Sequence, residues 1–93
     1  MKRLFPLFAV VTLTLAGCSG TTVNRDSCAS ELSAAWRELD LAKAEGFAGT
    51  VSYSKAFTLI TAAKTEQQVE SYGGCLDKAS KARFYIRESR AGR

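Results

Sequence analysis

The chain has no histidine. Without imidazole there is no Ser-His or Cys-His nucleophilic site and no zinc site that needs a ring nitrogen. A phosphate-cradling loop is missing too, because the glycine pair Gly73-Gly74 follows no predicted strand. Carboxylate pairs such as Glu31 with Glu38, or Glu38 with Asp40, have the composition of an acid/base couple, but their spacing is that of ordinary helix surface charge. The sequence therefore reads as non-enzymatic, with no cofactor, no metal and no nucleic acid as partner. Long apolar runs are also scarce. The one present, Leu4 to Ala16, is broken by Pro6, Thr12 and Thr14 and ends in the polar run Ser19-Gly20-Thr21-Thr22. A membrane-spanning helix needs about 20 predominantly apolar residues, so a cleaved secretory signal is expected instead, with Lys2 and Arg3 as its basic start.

The end of that run carries a motif. Leu15-Ala16-Gly17-Cys18 resembles the lipobox of bacterial lipoproteins at all four positions. The resemblance implies that residues 1–17 are removed and that the thiol of Cys18 takes a diacylglycerol. Each acyl chain adds about 0.8 kcal/mol per buried CH₂, so two or three chains make a stable anchor. Ser19, where an aspartate would suggest retention in the inner membrane, points by the same resemblance to the periplasmic face of the outer membrane. With Cys18 consumed, Cys28 and Cys75 are left as an even pair in an oxidising compartment. A disulfide between them is expected, worth about 4 kcal/mol on a chain-entropy estimate. A domain this small needs such a staple.

Losing Lys2 and Arg3 would leave little of the formal charge of +4. The remaining excess is local: Lys78, Lys81, Arg83, Arg87, Arg90 and Arg93 are opposed within residues 78–93 by Glu88 alone. Such a tail favours acidic polymers or anionic head groups, and it also complements the negative end of a helix dipole.

After the lipidated Cys18 and a short polar tether, together residues 18–26, of which the eight from Ser19 to Asp26 reach at most about 27 Å, the periodicity is helical throughout. The first helix is expected from about Ser27 to Glu45, capped by Asp26 or Ser27 and ended by Gly46, with Cys28, Leu32, Ala35, Trp36, Leu39 and Ala42 on its apolar stripe. Phe47-Ala48-Gly49 makes a turn. A second helix is expected from about Ser52 to Lys64, with Tyr53, Ala56, Phe57, Leu59, Ile60 and Ala63 facing inward. The stripe then shifts to Val69, Tyr72, Cys75, Leu76, Ala79, Ala82 and Ile86, and Thr65-x-x-Gln68 has the form of a capping box. A break near Thr65 and a third helix from about Glu66 to Ser89 follow, with Gly73-Gly74 marking either a close backbone approach or a local irregularity.

The expected fold is all-α: a small antiparallel bundle of three helices over residues 27–90, or a two-helix hairpin with a kinked second helix, stapled by Cys28–Cys75 and followed by a tail at 91–93. The run Ala42-x-x-x-Gly46, Tyr53-x-x-Ala56-x-x-Leu59-x-x-x-Ala63 and Tyr72-x-x-Cys75-x-x-x-Ala79-x-x-Ala82-Arg83 resembles the alanine-rich helical repeats of small envelope lipoproteins grouped as a domain of unknown function. It is distantly similar to a tetratricopeptide unit, but Asp40 stands where that unit has glycine after Leu39. The candidate contact surface is Lys78, Lys81, Arg83, Tyr85 and Arg87, with Phe84 nearby. It suggests an adaptor or structural module for an envelope protein or peptidoglycan. The alternative is a ligand-binding or hydrolase-inhibitor module with a groove near Trp36 and Phe57.

Overall fold

The computed structural model describes the backbone from Phe5 and the side chains from Asn24 to the C-terminus. Its elements are three helices, α1 (Phe5–Ala44), α2 (Val51–Gln68) and α3 (Tyr72–Arg90), and there is no strand among the described residues. They form the expected bundle. The hairpin alternative falls away because α2 and α3 are separate rods.

The core follows from spacing. In α1 the buried positions are Cys28, Leu32, Ala35, Leu39 and Ala42, and in α3 they are Cys75, Ala79, Ala82, Ile86 and Ser89. Both sets alternate steps of four and three, so their stripes wind slowly and suit a shallow crossing of about 20°. The sets are also offset by the same 47 residues that separate the two bridged cysteines. Parallel helices in constant register result, with antiparallel α2 contributing Ser52, Ala56, Ile60 and Ala63. The α3 helix packs extensively on both neighbours, whereas α1 and α2 touch each other least. Alanine at so many core positions permits close approach, and Leu32, Leu39, Ile60 and Ile86 supply the larger apolar burial at about 1.5–3 kcal/mol each.

Each helix stops in the same way. Gly46 has φ 93°, its N–H donates to the Lys43 carbonyl, and the Phe47 N–H donates to Ala42. Gly92 repeats the arrangement, with φ 82° and donation from Gly92 to Ser89 and from Arg93 to Glu88. These are Schellman motifs, in which a left-handed residue turns two amides back onto the last carbonyls. The α2 end has the same bonds, Glu70 to Gln67 and Ser71 to Glu66, but its left-handed residue is Glu70 at φ 61°. At the start of α2, Thr50 accepts from the Tyr53 N–H at 3.2 Å, a side-chain cap.

Several expected boundaries move. Asp26 and Ser27 cap nothing: Asn24, Arg25 and Asp26, expected in the tether, lie in an exposed stretch of α1. An N-cap side chain acts only where the preceding chain leaves the helix, and no glycine or proline between Thr21 and Ser27 makes it leave. The capping box at Thr65 does not form either. The Thr65 hydroxyl donates back to the Thr61 carbonyl at 3.1 Å, and α2 continues to Gln68. Val69 therefore sits in the turn, 69% exposed, instead of on the third stripe. Trp36 is half-buried and Phe57 is 50% exposed, so both lie at the rim of the core. The residues expected as a tail, Ala91 to Arg93, close the last cap. Met1 to Leu4, where a signal is expected to start, and the side chains of Leu15 to Cys18 including the thiol expected to carry lipid, lie outside the described residues.

Candidate functional site

The α3 helix positions all five residues of the candidate surface, and its core stripe divides them. Arg83 lies on the flank toward α1. Its Nη1 donates to Glu31 Oε1 at 2.6 Å, while Nε and Nη2 reach Glu38 Oε2 at 3.1 and 2.7 Å. Two carboxylates two turns apart on α1 thus share one guanidinium, with Ser80 donating to Glu31 Oε2 at 3.0 Å. The hydrogen bond to Glu38 holds the Arg83 pKa above its ordinary value, against the partial desolvation that would lower it, with Glu31 adding to the rise. One turn short of the C-terminus, Arg90 repeats the geometry with Glu45, at 2.7 Å for Nε and 3.0 Å for Nη2.

The flank toward α2 carries the others. Lys78 pairs with Glu66, and Tyr85 packs half-buried against the core with Lys55 Nζ 5.3 Å from its ring centroid. Tyr85, expected on the contact surface, is thereby placed against the core instead. Phe84 is the aromatic left outside, 48% exposed and edge-on to Tyr85 at 5.2 Å. Lys81 pairs along its own helix with Asp77 at 3.1 Å, both well exposed. Arg87 is exposed with no carboxylate within ion-pair distance among the described residues.

The five residues consequently do not make one surface. Lys78 and Arg83 are struts between helices, Tyr85 seals a seam, and Lys81 and Arg87 are the two cations facing solvent. What the periodicity missed was Glu31, Glu38, Glu45 and Glu66 as partners. A signal was present, since Glu38 to Arg83 and Glu45 to Arg90 are both separated by 45 residues, close to the 47 of the cysteine pair.

The expected disulfide is present: the Cys28 and Cys75 Cα atoms are 5.6 Å apart, and neither residue exposes any surface. Both cysteines begin the core stripe of their helices, so the bridge joins α1 and α3 at one end while Glu45–Arg90 ties the other.

On the opposite side, α1 meets α2 through Trp36 and Phe57, edge-to-face with centroids 6.3 Å apart. Among the described residues every ion pair between helices involves α3, so this seam is apolar and holds no charge pair. Between α1 and α3 a shallow open groove is lined by Asp26, Ser27, Ser30, Glu31 and Leu76. No described helix is long and apolar enough to cross a membrane, and no described group of three or more His, Cys, Asp or Glu side chains could hold a metal ion. Compared with protein-family models, with characterised proteins and with solved structures, the chain matches none.

Proposed function

We propose that this chain is a lipid-anchored, non-catalytic envelope module, held at the periplasmic face of the outer membrane through Cys18 and acting as an adaptor or structural element for a protein partner or peptidoglycan. The observation that carries this reading is Leu15-Ala16-Gly17-Cys18 at the end of a short apolar run, together with the pairing of the two other cysteines. A bundle closed by a buried disulfide suits an oxidising compartment. Its cations also leave a defined contact surface: Lys81 and Arg87, free of cross-helix duty, with exposed Phe84 beside them on α3.

Metabolic labelling with a palmitate analogue tests the anchor. Label is expected on the wild-type chain in the outer-membrane fraction and lost in Cys18→Ser; label retained by that variant removes the lipobox. Pull-down at low salt with Lys81→Glu/Arg87→Glu tests the surface, because neither substitution breaks a strut between helices. Unchanged recovery of the partner would take the basic segment out of the reading.

The Trp36–Phe57 seam favours a second reading, a module that binds a lipid or a hydrolase there. A shift in the emission of Trp36, the single tryptophan, on adding phospholipid vesicles or a periplasmic hydrolase would support it.

A further inference from the structure

The core offers little apolar volume to hold three helices together. Among its described members alanine outnumbers the larger residues six to four, and the remaining two are the bridged cysteines. Around it the struts are surface pairs: the Arg83, Lys78 and Arg90 side chains are all at least 32% exposed. Pairs of that kind add little net stability. The crosslink is different in size. Closing a loop across 47 residues shifts a folding equilibrium by on the order of a thousandfold, comparable with the whole folding equilibrium of a marginal small domain.

We propose that the Cys28–Cys75 bond is a folding gate: the reduced chain does not hold the bundle at physiological temperature, and oxidation locks it. The export part of this idea rests on the envelope reading above. A chain that cannot fold while reduced stays threadable until it reaches an oxidising compartment. The oxidant is a protein disulfide of the dithiol-exchange class. One thiolate of the pair attacks that disulfide to give a mixed disulfide and releases one oxidant thiolate. The second thiolate then attacks the mixed disulfide and releases the other. Two thiol protons leave the chain, two electrons pass to the oxidant, and it departs as a dithiol. Once folded, neither cysteine exposes any surface. An attacking thiolate must wait for the bundle to open, so the gate resists reversal.

The test is made in solution on the full chain carrying Cys18→Ser, in mild detergent, with Trp36 emission and protease resistance as readouts. The oxidised protein is expected to give one cooperative urea transition. Reduced with a phosphine at 37 °C, it is expected to show exposed Trp36 and cleavage inside residues 28–90 without urea, as is Cys28→Ala/Cys75→Ala. Re-oxidation with oxidised glutathione should restore the native emission of the reduced chain only. A reduced chain that keeps its native emission, its protease resistance and a cooperative transition overturns the proposal. That outcome would leave the anchor untouched, and failed lipid labelling would leave the folding result standing.

Discussion

Arg83 binds Glu38 through two of its nitrogens at once, Nε and Nη2, across the seam between α3 and α1. The same side chain sends Nη1 to Glu31, so its planar fork is used on three sides. Lysine cannot reproduce this, being a single point charge on a flexible stem. Arg83→Met is expected to lower unfolding free energy by about 0.5–1 kcal/mol, and Arg83→Lys by at least half as much. Urea titration of the oxidised protein reads both. Glu38→Gln should cost less, because Glu31 still holds the guanidinium. The pH dependence follows from the direction of the shift. Arg83 has its folded pKa raised above its unfolded value, so its stabilisation is fully present below the unfolded value and is lost only as pH rises through the folded one. Stability measured from pH 6 to 9 should show no step from this residue.

Glu70 turns the chain between α2 and α3 at φ 61°, where the other two helix ends use glycine. A side chain with a Cβ pays about 1–2 kcal/mol in that conformation. The two amide bonds of the motif belong to the backbone and survive substitution. Glu70→Gly should therefore stabilise the bundle, by about 0.5–1 kcal/mol once the extra freedom of glycine in the unfolded chain is allowed for. Glu70→Val should do the reverse. Thermal unfolding of the two variants beside wild type is enough to check the sign.

This turn also shows where the sequence was legible and where it was not. Gly46 announced the end of α1, because glycine at a helix terminus is the ordinary signal for a left-handed residue. Glutamate gives no such signal, and the sequence pattern places the break at Thr65, whose hydroxyl instead bonds along the continuing helix. The apolar stripes of α1 and α3 were readable from Cys28 and Cys75 onward, since steps of four and three alternate without exception among their buried members. Trp36 and Phe57 were harder to place. A stripe fixes which side of a helix faces inward, but the breadth of the buried arc depends on how closely a neighbour packs, and α1 and α2 pack least. The basic run at 78–93 misled for a related reason. Consecutive cations on a helix fan out around it, and their fate depends on which acidic residues the neighbouring helices present at that level. The register was legible in the cysteine pair, yet only the folded arrangement shows that Glu38 and Glu45 meet Arg83 and Arg90.

Gly73 and Gly74 give a sharper test of local packing, because they are adjacent in the first turn of α3 and differ in what surrounds them. A Cβ added at Gly73 would meet open space, whereas at Gly74 it would collide with the Glu66 carboxylate at the end of α2. Neither glycine has positive φ, so helix propensity alone favours alanine at both by about 1 kcal/mol. Gly73→Ala should realise most of that gain. Gly74→Ala should not, since Glu66 must swing away from Lys78, the ion pair that joins α2 to α3 beside the disulfide. If the Gly74 contact has that role, Gly74→Ala combined with Glu66→Ala should recover the gain, because removal of the carboxylate clears the space and only a partly exposed ion pair is lost. Urea midpoints of the two single variants and the double variant decide it. Equal stabilisation by Gly73→Ala and Gly74→Ala would show that the Glu66 side chain moves aside at no cost, and the close approach would then have no energetic role.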